Sequence, residues 1–272
     1  MKKIVYKNDG EVPVEDILCT TYQMRNFYTQ FRDAYASNLD VMNYIQHLSC
    51  AQMCKEGWTV LDVCCGRGMM LPFLRYYAKG ISKYIGVDIE PKNMVWNRKN
   101  ICNGKDIDPL THYPFEVEPV VGNVAQMSEL VKDKVDFIIY TSAIEHMHKE
   151  HGRQSLVECG KLLKKGSKMF LSCPNTPEDQ DGFDTQYKAH VYEWKISELR
   201  KELADAGFVV EKEIGLYGHL NDLKKILKNL PKLIADHFTD AIEYLPREFT
   251  TAVLFTCLPK ISKEVGLICR KL

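Results

Sequence analysis

Apolar and polar positions alternate along most of this chain in a strand–helix rhythm. Short, largely apolar runs of six or seven residues recur at 58–64 (WTVLDVC), 83–88 (KYIGVD), 115–121 (FEVEPVV), 135–140 (VDFIIY), 168–173 (KMFLSC), 208–214 (FVVEKEI) and 264–270 (EVGLICR). Between them lie stretches with apolar residues at three- and four-residue steps, which predict helices near 67–78, 91–101, 126–132, 150–164 and 195–206. Strands that alternate with helices imply a parallel sheet covered on both faces, and nearly continuous apolar strands fit burial on both faces. The fold class expected is therefore α/β: a Rossmann-like three-layer αβα sandwich whose seven-stranded sheet is mostly parallel. Residues 15–55 precede this rhythm and read as helical, with Tyr22, Phe27, Tyr28 and Phe31, then Val41, Tyr44, Ile45 and Leu48 at helical spacing.

Four regions follow: a helical cap over 1–55, the alternating core over 56–215, an inserted helical lid or docking segment over 216–262, and a last core strand over 263–272. The insertion contains LNDLKKILKNL, apolar at Leu220, Leu223, Ile226, Leu227 and Leu230 with lysines opposite. An amphipathic helix packed on the domain is preferred to a membrane or RNA contact. Long additions of this kind, with the loop 174–193, usually form lids or docking surfaces in compact α/β domains.

Composition narrows the functional classes. Of 272 residues, 36 are Lys or Arg and 36 are Asp or Glu, so the formal charge is zero and bulk electrostatics give no reason to expect a nucleic-acid binder. The start, MKKIVYKNDGEVPVED, turns polar before any apolar run develops, and no run reaches the ~18 residues of a membrane span. A cytoplasmic protein is expected. The ten cysteines are scattered, several inside apolar runs, and reduced thiols are the default there. Cys50 and Cys54 stand four apart, but no second Cys/His pair completes a zinc pattern.

The first strand ends in Val60-Leu61-Asp62-Val63-Cys64-Cys65-Gly66-Arg67-Gly68, and the second in Tyr84-Ile85-Gly86-Val87-Asp88. A strand running into a glycine turn and a helix lets backbone approach a ligand closely. A carboxylate about twenty residues on, at the end of the next strand, can accept the ribose hydroxyls of a nucleoside cofactor. Together these residues resemble the class I S-adenosylmethionine-dependent methyltransferases, with a core like that of the menaquinone/ubiquinone group. Cys64 stands where that family's glycine signature has its first glycine. The resemblance continues in order through Gly122-Asn123-Val124, Asp136-Phe137-Ile138-Ile139, Ile144-Glu145-His146, Leu162-Leu163-Lys164-Lys165-Gly166-Ser167, Ser172-Cys173-Pro174-Asn175 and Ala206-Gly207-Phe208. It also implies an antiparallel last strand.

By that resemblance S-adenosylmethionine is the cofactor. Asp88, with Ile89 beside it, would bind the ribose, while Cys64, Gly66 and Gly68 would line the methionine moiety. Asn123 and Val124 would contact adenine, Thr141 would lie near the transferred methyl, and Asp62 would bind cofactor or only order the loop. Glu145 and His146, just beyond the fourth strand, are the catalytic candidates, against the plainer reading that they order the loop. Tyr22, Tyr28, His190, Tyr192 and Trp194 are candidate substrate walls. The preferred acceptor is a small or medium-sized molecule presenting an O, N or C nucleophile.

Weaker echoes define the alternatives. Small-RNA 3′-end 2′-O-methyltransferases also carry a Glu-His pair and a downstream His, as in Glu145, His146 and His190, but with a further Glu where this chain has Ser142. His146, His148 and His151 are close in sequence, yet with that ligand missing no metal is expected. Lys79 to Ile89 resembles mRNA cap guanine-N7 methyltransferases, and MRNFYTQF echoes their N-terminal arm, but CCGRG lacks their lysine. A non-catalytic S-adenosylmethionine-binding partner subunit is the reading from a different class. The oligomeric state is open.

Overall fold

The computed structural model describes residues 3–6, 10–13, 38–91, 93, 113–244 and 247–272. A short hairpin pairs Lys3–Tyr6 with Gly10–Pro13, separate from the main sheet. Seven strands form that sheet: β1 (Thr59–Val63), β2 (Lys83–Asp88), β3 (Glu116–Val121), β4 (Val135–Thr141), β5 (Leu163–Pro174), β6 (Phe208–Tyr217) and β7 (Glu264–Lys271). Their order is β3-β2-β1-β4-β5-β7-β6. β7 runs antiparallel to both its neighbours, and every other neighbouring pair is parallel.

Among the described residues the helices of at least four residues are α1 (Asn38–Met53), α2 (Met70–Tyr77), α3 (Met127–Leu130), α4 (Lys149–Leu162), α5 (Ile196–Asp205), α6 (Leu220–Leu227), α7 (Lys232–Tyr244) and α8 (Arg247–Phe255). The apolar strands explain the layers. Val60, Phe137, Ile139 and Phe170 point to one face and pack with Met70, Phe73 and Leu74 of α2 and with Cys50 of α1. Their neighbours Leu61, Ile138, Tyr140 and Leu171 point to the other, against Leu156 and Cys159 of α4 and Leu199 and Leu203 of α5. Period-two alternation with both faces buried gives a three-layer αβα sandwich.

Expected and observed strands agree closely, with one informative difference. β5 begins at Leu163 rather than 168, because Leu163 pairs with Val135 before the register slips and Lys168 pairs with Phe137. The slack is taken up around Gly166, which sits at φ 79°. The expected helix over 91–101, apart from residues 91 and 93, and the N-terminal helix before Asn38 lie outside the described residues.

The insertion builds a small core of its own, with Leu223 and Leu227 of α6 packed on Phe255 of α8. Lys224 and Lys225 stay exposed on the other face of α6. Through α8 this unit rests on β6 and α1. Among the described residues no helix is long and apolar enough to cross a membrane. The described cysteines are all free, and all but Cys64 and Cys257 are buried.

Candidate active site

β1 and β4 are neighbours whose following helices leave to opposite sides, so a crevice opens beyond their carboxyl ends. A cleft of about 890 Å³, counted to its open mouth, lies there. Asp62, Cys64, Gly66, Asp88, Ile89, Asn123, Val124 and Thr141 all line it. Gly68 does not, although its φ of 71° and its amide bond to the Cys65 carbonyl (2.9 Å) shape the turn.

The β1–α2 turn explains the glycines and the cysteine. Gly66 has φ 52°, and a Cβ built on it would meet nothing within 4 Å, so bare backbone faces the open cleft. Cys64 keeps a glycine-like φ of 57° despite its side chain. That left-handed conformation costs an L-residue about 1–2 kcal/mol. Burial pushes the Cys64 and Cys65 thiols well above their ordinary range, so both are inert neutral groups.

Asp88 organises the next corner. Its Oδ2 accepts the Gly66 amide at 2.9 Å, and its Oδ1 accepts the Glu90 amide at 2.9 Å and the Asn93 side-chain amide at 3.0 Å. Burial raises its pKa, and these three donors pull it back. A carboxylate has about four lone-pair sites, which leaves it capacity for a ligand hydroxyl. Asp62 is different. It accepts the Tyr84 hydroxyl at 2.7 Å, and burial first, partly offset by that bond, lifts its pKa to about 7.

At the third strand's end Asn123 Oδ1 caps the following 3-10 turn through the Ala125 amide (2.9 Å) and meets His151 Nε2 at 2.7 Å. His151, on α4, lines the cleft, as does His47 from α1, whose pKa burial lowers to about 4. Neither was marked as a binding residue from sequence. The alternation of helix and strand does not report which helical face meets the cleft mouth.

Beyond β4 the wall becomes polar and strained. Ser142 has φ 45° and donates from Oγ to Glu264 Oε1 at 2.9 Å, while its amide meets Ser172 Oγ at 3.0 Å. Ser172 Oγ in turn donates to Gln46 of α1 at 2.8 Å. A non-glycine residue held in this conformation at a cleft wall is characteristic of functional sites. Glu264, 122 positions beyond Ser142 in the chain, arrives from β7, and no local motif signals it. Burial pushes it to about 8.

His146 lines the cleft, whereas the Glu145 carboxyl turns inward, 2% exposed, with its pKa raised well above normal by burial and by Glu264. Burial, with His190 adding to it, lowers His146 to about 4, so this imidazole is neutral at physiological pH. The loop after β5 folds back here. The amides of Val191 and Tyr192 donate to the Glu145 carbonyl at 2.7 and 3.2 Å, which brings the His190 ring edge-on to His146, centroids 4.9 Å apart.

The remaining substrate candidates separate. Tyr22 and Tyr28 lie outside the described residues. His190 stands behind His146 and does not line the cleft. Tyr192 is buried and its hydroxyl donates to Glu198 at 2.7 Å. Trp194 is fully buried in the main core. The last two hold the loop through packing rather than facing the cleft.

The family whose sequence profile matches residues 28–213 is described as a methyltransferase domain. No curated protein matches the chain. Among solved structures the chain resembles one from the complex between the Haloferax volcanii Trm112 methyltransferase activator and a methyltransferase, at 19% identity. The match covers 92% of this chain and 95% of that one, with a TM-score of 0.54. A SAM-dependent methyltransferase from Archaeoglobus fulgidus matches at 18% identity over 90% of this chain and 99% of its own, TM-score 0.52. The cyclopropane synthase MmaA2 from Mycobacterium tuberculosis matches at 15%, over 85% and 84%, TM-score 0.53. At these identities the structural likeness establishes the fold, which hosts more than one chemistry.

Proposed function

Because the chain belongs to the methyltransferase-domain family, we propose that it moves the methyl group of S-adenosylmethionine to a small or medium-sized acceptor held in the cleft. The donor is S-adenosylmethionine, and the cleft suits it. The observation that carries this reading is the company these groups keep in one cavity. Its lining joins the backbone of Gly66, where a side chain would meet nothing, and the donor-lined carboxylate of Asp88 to the polar groups of Thr141, Ser142 and His146.

Transfer from a sulfonium is an in-line displacement with an activated leaving group, so orientation of the acceptor can supply most of the rate. The strained wall at Ser142 and the buried imidazole of His146 are the groups assigned to that orientation. An acceptor that must lose a proton would find a neutral imidazole in His146. Glu145 holds the 174–193 loop through its carbonyl, and that loop with the helical region before 55 is proposed as the acceptor's cover. The 216–262 segment braces α1 from outside. Free, mostly buried thiols suit a reducing cytosolic setting.

The test is transfer of labelled methyl from S-adenosylmethionine into fractionated metabolites, RNA and DNA. Label in the small-molecule fraction supports the reading. Label confined to RNA overturns the acceptor class, and tight cofactor binding without transfer overturns the enzyme.

A further inference from the structure

Four elements meet around one hydroxyl in the cleft wall. Ser142, the residue after β4, lines the cleft, and its Oγ donates to Glu264 Oε1 of β7 at 2.9 Å. Its amide is held by Ser172 of β5, at 3.0 Å to Oγ and 3.1 Å to the carbonyl oxygen. Ser172 Oγ donates to Gln46 Oε1 of α1 at 2.8 Å, and Gln46 Nε2 donates back to Ser142 Oγ at 3.4 Å. This ring fixes the hydroxyl and commits its one proton to Glu264. A hydroxyl oxygen has two lone pairs, and Gln46 occupies one. Ser142 therefore offers a ligand the other lone pair, and the ligand group that meets it is an N–H or an O–H.

Charge separates those two. Glu264 is buried with Glu145 and Glu193 behind the same wall, and among the described residues no lysine or arginine pairs with any of them. Asp62 and Asp88 line the cleft, and no described lysine or arginine does. The titratable groups that face Glu264 are Glu145, Glu193, Cys173 of β5 and Tyr217 of β6, and none of them is a cation. Carboxyl groups removed from water without a cationic partner favour a positive ligand and disfavour carboxylate or phosphate. An ammonium meets both conditions, since it brings N–H donors and positive charge.

On the methyltransferase reading, we propose that the acceptor is an amine that binds Ser142 Oγ through an N–H, with Glu264 as the base that takes its proton through that hydroxyl. Burial lifts Glu264 to about 8 and lowers His146 to about 4, so the carboxylate is the stronger base of the two. Glu264 is therefore mostly protonated in the empty site at pH 7, and an arriving ammonium displaces that proton to water. The ammonium N–H bond then breaks toward Ser142 Oγ while the Ser142 O–H bond breaks toward Glu264, which leaves a neutral amine and a protonated carboxyl. The nitrogen lone pair so freed forms the new N–C bond as the donor's C–S pair returns to sulfur. His146 in the same wall is left to orient the acceptor.

The test starts with transfer of a deuterated methyl group from S-adenosylmethionine into a metabolite extract, the products read by mass spectrometry. The label should sit on the nitrogen of an amine. Calorimetry of that amine on the chain loaded with S-adenosylhomocysteine, in buffers of unlike ionisation enthalpy, should show about one proton released at pH 7 and none in Glu264→Gln. The kcat of Glu264→Gln should fall about 100-fold at pH 7, and the deficit should narrow as rising pH supplies neutral amine from solution. Unchanged affinity for S-adenosylhomocysteine shows that the variant is folded. Ser142→Ala, which keeps the acid, should raise KM about tenfold, and it decides the matter if Glu264→Gln does not fold. Label on oxygen, carbon or sulfur, wild-type proton release in a folded Glu264→Gln chain, or wild-type kinetics in Ser142→Ala overturns the amine site alone. Cofactor binding with no labelled product overturns the enzyme and the amine site together.

Discussion

The backbone amide of Gly66 donates to the Asp88 carboxylate, nitrogen to Oδ2, at 2.9 Å. This bond ties the turn after β1 to the end of β2 and sets the corner around which the cleft is built. Backbone facing the cavity and an acid anchored by three donors are thus a single unit.

Cys64 tests the turn. Its φ of 57° is glycine's territory. Cys64→Gly should leave stability within about 1 kcal/mol of wild type and retain cofactor binding, since relief of strain offsets the added unfolded-state freedom. Cys64→Val should cost about 2 kcal/mol or more, because a β-branched residue resists that conformation. Equal melting temperatures for the two variants would show that the turn is unstrained.

Asp62 makes stability depend on pH. Its folded pKa, about 7, is raised above its ordinary value by burial. The native state therefore holds a proton that the unfolded chain releases, and this contribution is lost as pH rises from about 4 through 7. His47, lowered to about 4, acts oppositely below pH 6.5 and masks part of the effect. The clean measurement is the difference in melting temperature between wild type and Asp62→Asn. Wild type should lose ground to the variant between pH 5 and 8, by an amount on the order of a few kcal/mol. A flat difference would mean that Asp62 is ionised throughout.

Trp194 anchors the loop that returns to Glu145. A Cβ on Gly152 would come within 3.0 Å of its ring and 3.2 Å of Ile144. Trp194→Ala should destabilise by about 3–5 kcal/mol, and Gly152→Ala by about 1–3 kcal/mol through overpacking. Urea denaturation measures both. A neutral Gly152→Ala would show slack where the ring packs.

Much of this was legible in the sequence. The β1 and β4 runs are apolar because both faces are covered, so period and length were enough to place them. The landmarks from Asp62 to Thr141 sit at strand ends, where chain position and spatial position coincide, and all but Gly68 line the cleft. The substrate walls were less legible. Tyr192 and Trp194 have the composition of a binding wall and equally of a core, and only the fold separates the two. Glu264 and His47 reach the site from β7 and α1, so no local spacing could reveal them. His190 was marked from sequence, but its contact with His146 depends on backbone bonds from Val191 and Tyr192 to Glu145.

The most direct measurement is calorimetric titration with S-adenosylmethionine of the wild-type chain and of Asp88→Ala. Saturable binding at one site per chain is predicted, weakened roughly 10- to 100-fold in the variant, as expected for loss of a hydrogen bond to a charged group. No binding by the wild type, or undiminished binding by a folded Asp88→Ala chain, would contradict the assignment of this cleft to the methyl donor.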